Sequence, residues 1–357
     1  MIQHFRIPAD GRLCDRVQDL DISLQTLQQL LSLGAIYLNG RRLGGMSNPS
    51  ATETAVSTGD ILRVHFRPRR FFWQPDDVKA WVRSVTEHTL IVYKPNGLPT
   101  HATLDNSQEH LLAHLHAGGY PEALMVQRLD IGTEGLMIFA RHPQAQHDLQ
   151  IQMQNREVLK VYSAIVEGDF YFKGEMMTWM QKSPRAPKQQ HFAPGPDRES
   201  CLSHIRDANI LQTADADKTY TEIALELITG RTHQIRSQLH AFGHSIVGDK
   251  MYGSNEAWLS SRNLENLNVQ TESWALRCQT LGWTEDGIDQ VYEVAAFTAA
   301  DLIQRKKNSA LVLSQSDFGS FAEPRSTRSL HKNPPGIRSI EARHCEDAHE
   351  PPSLTPQ

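Results

Sequence analysis

The sequence predicts an α+β fold with a mixed, largely antiparallel sheet. Three observations carry that expectation. Short segments rich in Val, Ile and Leu (HTLIVYK, LMIFAR, KVYSAIVEG and YTEIALELITG) are interleaved with segments of helical periodicity (QEHLLAHLHAGG, AQHDLQIQMQN and HQIRSQLHAFG). The 357 residues, 39% of them hydrophobic, suffice for about two domains with a sizeable core. After about residue 305 the composition turns to Ser, Pro, Arg and Glu with little periodicity, which marks 305–357 as a disordered tail.

Composition narrows the function classes. No run reaches the roughly 18–20 apolar residues of a membrane-spanning helix, and MIQHFRIPADGRL lacks the apolar stretch of a signal peptide, so a cytoplasmic protein with no membrane partner is expected. Cys14, Cys201, Cys278 and Cys345 are far apart with no CxxC, which supports neither a disulfide framework nor a cysteine-rich zinc site. The formal charge of −5 carries no overall nucleic-acid signature, so a polyanionic partner would have to be held by local basic surface.

Taken in chain order, residues 1–70 read as a small unit. ISLQTLQQLLSLGAIYLNG places Leu24, Leu27, Leu30 and Leu31 at helical spacing, stops the helix at Gly34 and runs into a short strand; TGDILRVHF follows as a second strand behind a turn. Helix, glycine stop, strand ending in Asn-Gly, GD turn and last strand together resemble the S4-like RNA-binding domain. The helix carries Gln25, Gln28 and Gln29 where that family has basic residues, and the arginines cluster elsewhere, at Arg41, Arg42, Arg63, Arg67, Arg69 and Arg70. Phosphate contact by Arg41 and Arg42 is one reading of that cluster; a solvated strand edge with an interdomain linker is the other. Residues 71–85 read as a linker whose Phe71, Phe72 and Trp73 pack against the next domain, and 86–304 as the larger α+β domain, interrupted by the proline-rich basic loop KSPRAPKQQHFAPGPDRES.

Several chemistries lack any motif here: GxxxxGK[ST], GxSxG, HExxH and GxGxxG are absent, so nucleotide hydrolysis, serine-hydrolase chemistry and dinucleotide binding have no support. His110 and His114 stand at metal-binding spacing but without a third ligand, and no metal or cofactor is expected. The informative stretches are QRLDIGTEGLMIFAR and ITGRTHQIRSQLHAFGHSIVGDKMYG. In the first, Arg128 and Asp130 project from a loop backed by an apolar strand. In the second, Arg231, His233 and Arg236 gather donors around the first turn of a helix starting near Thr232, a place favourable to anions. Taken singly, each piece is equally at home in a salt-bridged turn or a solvated helix start.

Together they are specific. VYKPNGLPTH (92–101), QRLDIGTEGL (127–136) and GRTHQIRSQLHAFGHSIVGDKMYG (230–253) stand in the order and at the spacing of three sequence blocks of the RluA-like RNA pseudouridine synthases, which this chain resembles over about 86–297, with KVY at 160–162 and WALRC at 274–278 as lesser matches. The resemblance implies a pseudouridine synthase fold preceded by the S4-like unit, and a monomeric, cofactor-independent enzyme that turns uridine into pseudouridine in structured RNA, large-subunit ribosomal RNA first and transfer RNA as the alternative. It implies Asp130 as the essential carboxylate; whether that group attacks C1′, attacks C6 or takes the C2′ proton stays open. Tyr162 would lie against the flipped uracil and act as base for the C5 proton, or be a core tyrosine. Arg236 would fix Asp130 by charge-assisted hydrogen bonds, or be a purely structural ion pair. Arg128 would fill the stack vacated by the flipped base, and Arg231 and His233 would contact RNA. Lys94, Gly97, Gly230, Gly248 and Asp249 read as architectural.

Four positions depart from the pattern: Gln127 for His, Glu134 for Ser, Arg277 for His and Tyr93 for Asn. Glu134 adds a negative charge four positions from Asp130, which would oppose a charged carboxylate or an RNA phosphate there. The rival function is a catalytically idle RNA-binding paralogue acting in ribosome assembly, against which the retained Asp130 speaks.

Overall fold

A computed structural model of the chain describes residues 2–45, 51–71, 73, 75–211, 219–253, 274–298 and 301. The tail expected at 305–357 lies outside them, as does Phe72.

The N-terminal residues build a four-stranded antiparallel sheet in the order β1-β6-β3-β4 from β1 (Ile2–Arg6), β3 (Ile36–Leu38), β4 (Arg41–Leu43) and β6 (Ile61–His65); β2 (Gly11–Arg12) and β5 (Ala55–Val56) pair beside it. Helix α1 (Leu13–Arg16) leads to α2 (Leu24–Ser32), which starts where the Ser23 hydroxyl accepts a hydrogen bond from the Thr26 amide at 3.1 Å. Leu27, Leu30 and Leu31 turn into the core as their spacing predicts, whereas Leu24, in the unpacked first turn, stays exposed. These side chains and Ile36, Leu62 and Val64 form a cluster separate from the core of the remaining chain.

Residues 71–85 are not simply a connector. After Phe71, which is buried in the large core, helix α3 (Pro75–Trp81) inserts Val78 and Trp81 into that core, and β7 (Val82–Val85) pairs antiparallel with β8 (Thr89–Lys94). The apolar side of this stretch makes it the first edge of the large domain.

That domain continues with α4 (Leu111–Ala117), β9 (Leu124–Met125), β10 (Glu134–Ala140), α5 (Pro143–Gln154), β11 (Leu159–Glu167), β12 (Gly174–Gln181), β13 (Gln190–His191), β14 (Arg198–Leu211), β15 (Tyr220–Leu227), α6 (Gln234–Ala241), β16 (Leu276–Glu285) and β17 (Ile288–Glu293). Among the described residues one sheet runs β13-β12-β14-β15-β11-β16-β10-β8-β7, with β17 on β16 and β9 on β10. Every pairing is antiparallel except β10 with β16, so the architecture is the expected mixed, largely antiparallel α+β. β10 is buried at every position, as a strand covered on both faces must be. β15 alternates buried and half-buried residues, the pattern of a strand with one solvated face.

The N-terminal sheet is seated on the loop before α4. Tyr37 donates its hydroxyl to the Leu104 carbonyl at 2.8 Å, and Arg42 Nη2 donates to the Thr103 carbonyl at 2.6 Å. Arg69 pairs with Asp105 and Arg70 with Glu109. Gly34 serves twice: at φ +65° it ends α2, and a Cβ there would fall 2.2 Å from Ser107 Oγ in that loop.

Candidate active site

The turn that carries Asp130 is built by the block preceding it. Lys94 is fully buried, and its ammonium donates to the carbonyls of Pro95, Leu98 and Ile131 at 2.7–3.0 Å. Burial pulls its pKa down to about 7, against the pull of Glu134 and Asp130. The Gly97 amide donates to Ile131 O, Asn96 Nδ2 to Gly132 O, and Thr100 Oγ1 to Leu129 O. Four residues of the first block thus hold the backbone of 129–132, which accounts for the architectural reading of Lys94 and Gly97.

The third block supplies the opposite wall. Gln234 and Gln238 are buried on α6 and exchange hydrogen bonds with Thr229, Ser203, Thr178 and the Leu202 and Cys201 carbonyls, fixing the helix to β12 and β14. The helix begins at Gln234 rather than near Thr232, because His233 adopts φ +61° and turns the chain into it. Arg236, 3% exposed, emerges from its first turn toward Asp130.

Arg236 sits between two carboxylates. Its Nε and Nη2 donate to the two oxygens of Asp249 at 2.6 and 3.0 Å, and its Nη1 donates to Asp130 Oδ2 at 2.9 Å. Burial opposes the guanidinium's charge, but Asp249 and Asp130 outweigh it and its pKa rises. Asp249 also accepts from the Met251 and Tyr252 amides, so the expected brace of the GDKMYG turn is at the same time the counter-ion of Arg236. The consequence is a carboxylate at position 130 that is oriented yet still about a quarter exposed.

His233 joins the pair from the side: its Nε2 stands 3.8 Å from Asp130 Oδ2 and its Nδ1 3.0 Å from the Tyr252 hydroxyl. Burial lowers its pKa despite Asp130, which favours a neutral ring. Tyr162 lies on β11 opposite Cys278 and lines the same cleft. Burial, reinforced by the Cys278 thiol, pushes its phenol well above the ordinary value, so it is a neutral ring at physiological pH with no ready phenolate. Arg128 is exposed at the cleft, and Arg231 is half-engaged with Glu199 at 3.5 Å.

The cleft has a volume of about 1030 Å³ and is bordered by Asp130, Tyr162, Arg236, Arg128, Arg231 and His233. Arg42 reaches its rim from the N-terminal unit, while Arg41, exposed on β4, does not border it. The two departures near the turn neutralise one another: Arg277 pairs with the buried Glu134, so the expected opposition of Glu134 to an anion at the site meets a compensated charge. Gln127 Nε2, by contrast, is buried without a hydrogen-bond partner among the described residues. Trp274, first residue of the WALRC match and given no role by the sequence, borders the cleft beneath Arg236; its only sequence signal is an aromatic residue two positions before β16.

Residues 88–241 match the RNA pseudouridylate synthase family. The chain is 32% identical over 190 residues to an uncharacterized RNA pseudouridine synthase of Bacillus subtilis, YhcT (51% of this chain, 61% of that one), and 29% identical over 255 residues to ribosomal large subunit pseudouridine synthase D of Neisseria meningitidis (69% and 64%). The matched stretch therefore spans somewhat under two thirds of these two relatives. Against the dual-specificity RNA pseudouridine synthase RluA of Vibrio vulnificus it is 32% identical over 194 residues, covering 52% of this chain and 74% of that one. With the three blocks folded into one cleft around Asp130 and Arg236, the chain belongs to the RNA pseudouridine synthase family.

Proposed function

We propose that this protein isomerises uridine to pseudouridine in structured RNA, with large-subunit ribosomal RNA as the substrate. The observation that carries the reading is the Asp130–Arg236–Asp249 row: a partly exposed carboxylate held in one orientation by a buried guanidinium that a second carboxylate neutralises. Breaking the N1–C1′ bond and rejoining uracil through C5 needs one such carboxylate and involves no net redox change, so no cofactor is called for. Asp130 acts as nucleophile or base, and Arg236 orients it. The neutral Tyr162 ring offers a face for the flipped uracil, and the free face of Arg128 can take the displaced base's place in the stack. Ribosomal RNA is favoured over transfer RNA because relatives of synthase D type are named for the large ribosomal subunit. RNA contact by Arg41, Arg42, Arg231 and His233, an S4-like role for residues 1–70, a monomer and a cytoplasmic location belong to the same proposal.

The test is to map pseudouridines in total RNA from cells with and without the gene, then add back wild type or Asp130→Asn. Loss of a defined ribosomal site, restored only by wild type, is expected. Loss confined to a transfer RNA would overturn the ribosomal assignment, and an unchanged map would favour the idle paralogue.

A further inference from the structure

Resting on the function proposed above, we infer that Trp274 is a positioning residue that sets Asp130 and Arg236 in register, a role no other aromatic residue bordering the cleft shares among the described residues. Trp274 touches Arg236 itself and the turn that carries Asp130. Its face carries the Arg236 guanidinium, whose Cζ lies 3.7 Å from the ring centroid, closer than the 5.1 Å to Tyr252 on the other contact. Its Nε1–H donates to Thr133 Oγ1 at 3.0 Å, and its backbone amide to the Gly132 carbonyl at 3.4 Å, so it also grips the turn that begins at Asp130. The fit is close: a Cβ on Gly132 would stand 2.5 Å from the indole ring.

The geometry divides the work. Asp249 fixes two nitrogens of Arg236 in the guanidinium plane, but hydrogen bonds in the plane leave rotation out of it unopposed. A flat, buried indole whose ring centroid lies 3.7 Å from Cζ resists such tilt, and with it the displacement of Nη1 from Asp130. Because the same ring is tied to Thr133, three residues after Asp130, a shift of the turn and a tilt of the arginine are coupled through one side chain.

The test uses the full chain as wild type, Trp274→Leu, Trp274→Phe and Thr133→Val, with two readouts. Turnover is measured on an RNA transcript containing the mapped uridine, and the Arg236 Nε–Hε resonance, assigned by its loss in Arg236→Lys, reports the guanidinium's surroundings whether or not the protein turns over. Trp274→Leu is expected to lower kcat about thirtyfold or more with KM within about threefold, and to move the resonance; Trp274→Phe, which keeps a stacking face, recovers kcat to within about fivefold of wild type. Thr133→Val, which cuts the indole's tie to the turn and leaves the backbone bond to Gly132, lowers kcat about three- to tenfold with the arginine resonance in place. An unmoved resonance in Trp274→Leu, or Trp274→Phe as slow as Trp274→Leu, overturns the inference. Should Trp274→Leu not fold, an unchanged kcat in both Trp274→Phe and Thr133→Val overturns it. An inactive wild type refutes the proposed activity instead, and the resonance still decides the positioning.

Discussion

Arg277 stands opposite Glu134 on the adjacent parallel strand, with Nε 2.8 Å and Nη2 2.7 Å from one oxygen of the carboxylate. Both side chains are buried, and both are departures from the pattern that the sequence resembles. Two departures that look independent along the chain are one ion pair across the only parallel pairing described in the large sheet.

Removing either member should therefore cost more than removing both. Glu134→Ser or Arg277→His alone strands a buried charge and is expected to destabilise by about 3–5 kcal/mol, while the double substitution recovers most of that loss. Denaturant melts of the four proteins measure the coupling; additive losses would mean the pair is energetically idle.

Asp130→Asn keeps the size of the side chain and removes its nucleophilic and basic character. RNA binding should persist while isomerisation falls below detection, as read by a tritium-release assay beside a filter-binding titration. Turnover within about tenfold of wild type would dismiss Asp130 as the reacting group.

At Arg236 the chemistry and the stability separate. Lysine keeps a charge but cannot serve both carboxylates in one plane, and alanine leaves Asp249, 1% exposed, without its counter-ion. Activity should fall in the order wild type, Arg236→Lys, Arg236→Ala, with the alanine protein also losing about 3–5 kcal/mol. Equal activities would make the arginine purely structural.

The N-terminal arginines divide into two kinds. Arg69 and Arg70 are bound to Asp105 and Glu109, whereas Arg41 is exposed. Arg41→Ala should reduce the salt dependence of RNA affinity by about one unit of slope, and Arg70→Ala should leave the slope unchanged while lowering stability. The reverse result would show that Arg70 leaves Glu109 to bind phosphate.

Acid should loosen the seat of the N-terminal unit. Burial raises the Asp105 carboxyl, but the hydrogen bonds and charge of Arg69 outweigh it and hold its pKa at about 2, below the ordinary 3.8. A depressed carboxylate contributes stability that is full above 3.8 and lost as pH falls toward 2. Proteolysis between the two units should therefore accelerate across that interval in wild type, and Arg69→Ala should show the same susceptibility already at neutral pH. A wild-type rate that is flat down to pH 2 would exclude the Asp105 contact as a clamp.

By itself the sequence determined four strands (β8, β10, β11 and β15) and three helices (α4, α5 and α6) of the large domain, the turn that exposes Asp130 and the basic helix start that faces it. Apolar periodicity and glycine punctuation are local properties, and the three blocks carry their chemistry in contiguous residues. It also contained every member of the Arg236 cluster, but not their pairing: Asp249 read as a turn brace, Trp274 had no role, and Arg69 and Arg70 stood in an arginine cluster for which RNA phosphate contact was one reading. Only the tertiary structure decided those partners. Asp130 and Arg236 are 106 residues apart and Glu134 and Arg277 are 143 apart. Whether a charge faces solvent, substrate or another charge depends on which strands become neighbours and how deeply the side chain is buried, and no local pattern in the chain encodes that distance.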